Sequence, residues 1–500
     1  MQVWLKIAVS FGCLGLTWLA ADEPRWGGGA SPNCVALAHG LPKTVEGLQP
    51  QWEIRLGTHQ YSIPTVDRGC LYLGLNDSGV ARRGYRPSGG GAVVCVDLAS
   101  RGVKWTLPIP RNMGGIKPPY YFDQWRCGVC SGALVNGDRV YVVSNRGDVL
   151  CLDRYGQANG NEGPFTNELS YMGIETNGVA LEPSDGDIVW QFDFVRDLDC
   201  APHDTCASTP LLVDGLLYVN TSNGLGAGHK PPARPDAPTL AVLDAKTGRL
   251  VAKDDERIGR RVFHGNWSSP CGGAVNGETL IFLGGGDGYL YAFHAPRPQG
   301  CVQTLRKAWS VDCNPPHFRE KNGGKLLYSE WNHNREDGPC EPIATPVFDR
   351  GRLYVAIGQS PLHGLGKGCL TCFDGATGAV IWRTEEINRT LSTVALHNGI
   401  IYLPDSAGTL HAFDAENGKT LWMHPLDGPV NYANARVADG KVYVGTEKSD
   451  FWIFGTGREK VVLSHTRLSS PPVTVSAVDG MLFIPMQNRL SAFAGGSVEK

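Results

Sequence analysis

The sequence predicts an all-β fold: eight four-stranded antiparallel blades closed into a β-propeller, with an N-terminal strand completing the last blade. Three observations predict it. A phrase recurs along the 500-residue chain, as in "CFDGATGAVIW" ending at Trp382 and "AFDAENGKTLW" ending at Trp422. An apolar run introduced by Gly precedes each copy, and a Trp, Trp52 in "QPQWEIRLGT", stands ahead of the first complete copy. A phrase repeated at set spacing marks a unit that cannot bury its apolar face alone and must stack on copies of itself.

Aligned on their Asp, the copies run "VCVDLASRGVKW", "LCLDRYG", "AVLDAKTGRLVA", "YAFHAPR", "TCFDGATGAVIW", "HAFDAENGKTLW", "WIFGTGREKVVL" and "SAFAGG", which makes eight. The runs before them include "GCLYLGL", "GLLYVNT", "GRLYVAI" and "GKVYVGT", each behind a short strand-like lead-in such as "ATPVFDRG". Several short β runs per unit, separated by turn residues, read as an up-and-down antiparallel sheet. Asp accepts hydrogen bonds from the backbone just ahead of it and Gly supplies positive φ, so D-x-x-T/N-G is the turn between third and fourth strands.

The Trp that follows begins the fourth strand, where a flat side chain wedges against the neighbouring unit. That column holds Trp105, Trp190, Ala252, Trp309, Trp382, Trp422 and Leu463, and the chain stops before the eighth copy supplies its own fourth strand. Trp52 brings the missing strand from the other end, and a ring closed in this way leaves no distant edges. The predicted organisation is a signal peptide at 1–21, an N-terminal extension at 22–49 and one propeller at 50–496.

Composition agrees. Hydrophobic residues are 42% and charged residues 19% of the chain, enough for a large core, and 64 Gly imply many tight turns. A formal net charge of −3 gives no electrostatic footprint for nucleic acid or an anionic membrane. The start, "MQVWLKIAVSFGCLGLTWLAADEP", has one Lys, an apolar run and small residues before Asp22. It reads as a secretory leader cleaved after Ala21, which places the mature protein in the periplasm or otherwise outside the cytoplasm. Setting Cys13 aside leaves an even number of the 15 cysteines in an oxidising compartment. Some disulfides are expected, and Cys200 with Cys206, or Cys301 with Cys313, are close enough in sequence to bridge.

The phrase resembles the docking motif A-x-D-x-x-T-G-x-x-x-W of the eight-bladed propellers with pyrroloquinoline quinone (PQQ)-type repeats, over roughly residues 50 to 496. That family includes the quinoprotein alcohol dehydrogenases and the non-enzymatic propeller of the outer-membrane β-barrel assembly machine. The resemblance implies a bacterial exported member, and it is specific for fold, because the motif describes packing between blades. In the dehydrogenases it implies PQQ in the central funnel between a Trp and a disulfide of adjacent cysteines, with Ca²⁺ beside it. No two cysteines are adjacent here.

Strand parity places most long insertions, 76–91, 108–126, 224–239, 313–341 and 358–368, on one face, and 154–186 on the other. Leading into the innermost strands on the first face are His59, Cys127, Cys130, His203, Asp204, Cys206, His264, Asn266, Trp267, Cys340, Glu341 and Asn434. Cys127 and Cys130 form a CxxC pair, as do Cys369 and Cys372, yet neither is followed by the His that covalent haem needs. For Cys95, Cys151 and Cys372 a buried small residue of the repeat is the simpler reading.

Three functions are compatible with this pattern. The first is a non-catalytic propeller, expected to be a monomer, that grips an envelope protein, peptide or glycan with loops such as "ARRGYR", "KPPYYFDQWR" and "KLLYSEWNHNR". The second is a PQQ- and Ca²⁺-dependent oxidoreductase of an alcohol or sugar, with Asn266, Trp267 and Glu341 in the funnel. The third is a metal-binding funnel built from the convergent His, Cys and acid residues.

Overall fold

The computed structural model describes residues 22–111, 126–175, 178–297, 299–329, 335–478 and 480–495. The expected leader at 1–21 lies outside them, as do residues 112–125 and 330–334, which hold most of "KPPYYFDQWR" and part of "KLLYSEWNHNR". Eight antiparallel blades form in chain order. Their innermost strands are Thr65–Asp67, Leu134–Asn136, Leu211–Val213, Cys271–Val275, Val347–Asp349, Ala395–His397, Arg436–Ala438 and Ser476–Val478. The second and third strands of each blade are packed on both sides, so they read as near-continuous apolar runs: every residue of Asp148–Asp153 is buried.

The ring closes as the sequence predicts. Trp52–Arg55 pairs antiparallel with Arg489–Ala494, Trp52 facing Ala492, and becomes the outer strand of blade 8. Blade 3 departs from the plain four-strand pattern: Gln303–Thr304, from the third–fourth connection of blade 4, adds a short parallel strand to its outer edge.

Indoles dock the blades by a repeated geometry. The Nε1–H of Trp105 donates to the carbonyl of Arg154 at 2.8 Å, that of Trp382 to Ala415 at 3.1 Å and that of Trp422 to Gly457 at 3.1 Å, always in the next blade. Trp190 and Trp309 do the same to Ala245 and Gly375, both at 3.2 Å. The turn Asp holds the receiving hairpin: Asp374 accepts from the N–H of Thr377 at 2.9 Å and Asp97 from that of Ser100 at 2.7 Å.

The N-terminal extension has a structural role that no motif announced. From Glu23 to Leu41 it runs across the end of the funnel opposite the long loops. Glu23 bridges to Val66, Arg25 to Leu134 and Val35 to Val437. Ser31 bonds both backbone groups of Phe348, and Asn33 both of Leu396. Gly272 donates to the Ala30 carbonyl, Trp26 reaches Thr209, and Ser476 bonds Glu23. The strap thereby touches all eight blades and shuts the lower mouth.

Among the cysteines expected to bridge, Cys200, Cys301 and Cys313 are free thiols in the structure. Cys200 and Cys206 share one buried cluster, whereas Cys301 is exposed and Cys313 buried in the core between blades 4 and 5. The insertion 154–186 is rooted on the strap side, but it climbs the flank of blades 1 and 2. There Asp185 accepts from Arg82 of the 76–91 loop, at 2.5 and 2.7 Å.

Candidate metal site in the funnel

Each inner strand is entered from the loop-rich face, so the residues just before it converge on the axis. They enclose a cavity of about 450 Å³, open towards the long loops and floored by Trp26 of the strap. Small polar residues from successive blades, among them Thr209, Ser269, Thr345, Thr393 and Thr474, ring its lower part. Tyr61 and Tyr432, with ring centroids 5.3 Å apart, stand on one wall.

The predicted residues divide into three groups. His59, Cys127, Cys130, Asp204, Trp267 and Asn434 line the cavity. His203 and His264 are buried directly behind Asp204, whose carboxylate oxygens lie 3.5 Å from His203 Nε2 and 3.7 Å from His264 Nε2. Cys206, Asn266, Cys340 and Glu341 are not on the cavity wall. Cys206 packs in the blade 2–3 core, and Asn266 accepts from the Gly286 N–H at 2.7 Å. The Cys340 N–H is taken by Asn314, and Glu341 accepts from the Tyr328 hydroxyl at 2.7 Å.

Two further histidines join this group from loops that connect second and third strands. His229, left-handed at φ 56°, comes from blade 3, and its Nε2 is 2.9 Å from His264 Nε2. One ring nitrogen from each of His203, His229 and His264 lies within 4.8 Å of the others. His363, from blade 5, stacks on His264 with centroids 5.1 Å apart and planes at 23°. The indole of Trp267 meets His264 edge-on at 4.9 Å.

The electrostatics suit a metal better than a proton. Burial pushes His203 down to about 4 and His264 well below the usual imidazole range; the neighbouring imidazoles lower His264 further. Burial and His203 also lower His229. The cluster is therefore neutral at neutral pH, the state in which imidazole ligates. His203 Nδ1 sits 2.7 Å from the Leu225 carbonyl. A carbonyl only accepts, so Nδ1 carries the hydrogen and Nε2 presents its lone pair to the cluster. This outer bond on one nitrogen fixes the tautomer, as is usual for a ligating histidine.

Comparison with known proteins gives two kinds of relative. The family described as outer membrane protein assembly factor BamB matches residues 366–479. The quinoprotein ethanol dehydrogenase of Pseudomonas aeruginosa is 25% identical over 321 residues, 57% of this chain and 45% of that protein. Outer membrane protein assembly factor BamB of Nitrosomonas eutropha is 31% identical over 153 residues, 31% of this chain and 34% of that protein. The matched stretch thus spans less than half the length of either relative. Among solved structures, quinohemoprotein alcohol dehydrogenase from Comamonas testosteroni is similar with a TM-score of 0.61 and 13% identity, covering 96% of this chain and 81% of that one. BamB from Moraxella catarrhalis is similar with a TM-score of 0.53 and 14% identity, covering 90% and 99%. At such identities the shared property is the fold.

Quinone enzymes among the relatives make PQQ the group to test against the funnel. PQQ carries three carboxylates, and among the described residues no Lys or Arg lines the cavity, while the nearby histidines are held neutral. Buried carboxylates without a cation are costly. Ca²⁺ takes six to eight oxygens, and Asp204 is the one carboxylate in the described wall. These residues do not fit the quinone–Ca²⁺ pair. Together with eight blades docked by indole on turn, these likenesses support a propeller of the PQQ-repeat type.

Proposed function

We propose that this protein is an exported metal-binding propeller. Its funnel holds one borderline divalent ion, Zn²⁺ or Cu²⁺, on His203, His229 and His264, and offers the remaining coordination position to a small neutral ligand in the cavity. The convergence of three neutral imidazoles beside a closed-bottomed cavity carries this reading. Three nitrogen ligands with one open position are the arrangement in which such an ion polarises a bound carbonyl or acidifies a bound water. Asp204, between the cluster and the cavity, is placed to accept a proton or hydrogen bond from what binds there. A described wall without Lys or Arg disfavours anionic ligands. Export rests on the apolar N-terminal run, and the periplasm is the compartment it implies.

Metal analysis of the full mature chain, purified without chelator and dialysed against equimolar Zn²⁺ and Cu²⁺, tests the proposal. One ion per chain is expected, falling to background when His203 and His264 are both replaced by Ala. Substoichiometric metal in the parent protein removes it. The exposed Tyr432, packed on Tyr61 at the open mouth, favours a second reading: the same face binds a peptide or glycan by stacking, without catalysis. Unchanged glycan and peptide binding after Tyr432→Ala would count against that reading.

A further inference from the structure

We propose that His363 is a fourth, exchangeable ligand of the ion held by His203, His229 and His264, so that an occupied site fastens the blade 5 loop over the mouth of the cavity. This rests on the three-histidine site proposed above. The first observation is an imbalance in hydrogen bonding. The His363 side chain is 2% exposed, and neither Nδ1 nor Nε2 has a hydrogen-bond partner among the described residues. A neutral imidazole has one donor and one acceptor, and leaving both buried and unmet costs about 1–3 kcal/mol for each. Nearly all buried polar groups are satisfied, so this one calls for a partner that the described residues do not supply.

The second observation is place. The ring lies 5.1 Å from His264 and 6.3 Å from His229, centroid to centroid. Tyr328 packs edge-on against it at 5.2 Å and lies 6.5 Å from His264, with its hydroxyl bonded to Glu341. His264 Nδ1 is likewise without a partner among the described residues. The unpartnered imidazole therefore stands beside the trio.

The third observation links the ligand to the mouth. His363 ends the single 3₁₀ turn Pro361–His363, and Ser360, Pro361 and Leu362 line the cavity. The buried Arg389 gathers the carbonyls of His363, Gly364 and Leu365 on one guanidinium nitrogen, at 3.3, 3.0 and 3.5 Å. Backbone and side chain of this turn are therefore tied at different points, Arg389 below and the ion above. In the resting state four imidazoles close the site. A cavity ligand that displaces His363 gives the three-imidazole state with an open position and releases Leu362 from the rim.

Titration of the full chain with Co²⁺ and with Zn²⁺, alongside His363→Ala and His363→Gln, tests this. Circular dichroism confirms that each variant is folded, and Gln keeps the size and polarity of the site if Ala does not fold. The parent protein should take one Co²⁺ with the intense visible absorption of a four-coordinate ion. The variants should still take one ion, at least about 10-fold more weakly and with a weakened band. Zn²⁺ should slow tryptic cleavage after the exposed Lys367 in the parent and not in the variants. Variants that match the parent in affinity, spectrum and cleavage overturn the fourth ligand and leave the trio standing. A parent protein that binds no ion overturns both.

Discussion

The indole of Trp382 rests on Gly418 of the following blade: a Cβ built at Gly418 would fall 2.4 Å from the ring. The same meeting recurs between Trp190 and Gly248 at 2.6 Å, and between Trp309 and Gly378 at 2.7 Å. The Gly of the repeat thus serves twice, giving the left-handed turn residue of its own hairpin and the flat seat for its neighbour's Trp. Gly418→Ala should lower stability by about 2–5 kcal/mol, combining left-handed strain with overpacking. Gly399→Ala is the control, because Gly399 has φ +74° and nothing within 4 Å of its Cβ position. Strain alone, about 1–2 kcal/mol, is expected there. Urea denaturation measures both, and equal losses would show that the indole contributes nothing.

Much of this was legible in the sequence because the determinants are local. Asp, Gly and Trp fall within one hairpin, and the absence of Trp at Ala252 and Leu463 was as visible as its presence elsewhere. Closure by Trp52 was legible because one strand was missing at the far end. The strap was not, since its partners lie as far as 453 residues away and carry no period. His203, Asp204, His264 and Trp267 were found by asking which residues lead into inner strands. His229 and His363 escaped that question because they sit between second and third strands. They meet the others only when the ring curls, although both lie in insertions already assigned to the open face.

The strap should matter to stability through one buried ion pair. Glu23 accepts from Arg436, which is 1% exposed, and from Ser476 at 3.2 Å. Glu23→Ala leaves that guanidinium buried without its counter-charge and should cost about 3–5 kcal/mol. Adding Arg436→Met to it should restore part of the loss. Thermal melting of the three proteins checks this, and a harmless single substitution would deny the strap its role.

A carboxylate outside the funnel sets a pH dependence. Asp254 is buried and accepts from the N–H groups of Thr239, Leu240 and Glu256, at 2.7, 2.6 and 3.1 Å. Burial outweighs these bonds and raises its pKa to about 6. Between about 4, its unfolded value, and about 6 the folded chain holds the extra proton, so stability falls as pH rises through that window. The fall is of order 3 kcal/mol. Urea midpoints from pH 4 to 7 should lose this slope in Asp254→Asn, and an unchanged slope would assign it to other groups.

The donor set of the funnel predicts an outcome with the quinone. Adding PQQ and Ca²⁺ to the purified protein should leave the quinone absorption unchanged and give no dye reduction across alcohols and aldoses. Saturable binding would mean that cations outside the described wall reach the cavity.

Copper should be readable through Trp267, whose indole lies 4.9 Å from His264. Cu²⁺ should quench part of the tryptophan emission with a one-to-one endpoint, and Trp267→Phe should remove that part without weakening binding. An endpoint unaffected by His264→Ala would place the quenching ion elsewhere.

Diffraction from a Zn²⁺-soaked crystal of the protein, recorded at the zinc edge, tests the three-histidine site most directly. The prediction is a single strong anomalous peak inside the funnel wall, about 2.0–2.1 Å from one nitrogen each of His203, His229 and His264. A funnel with no peak, or an ion bound only on the outer surface, would contradict it.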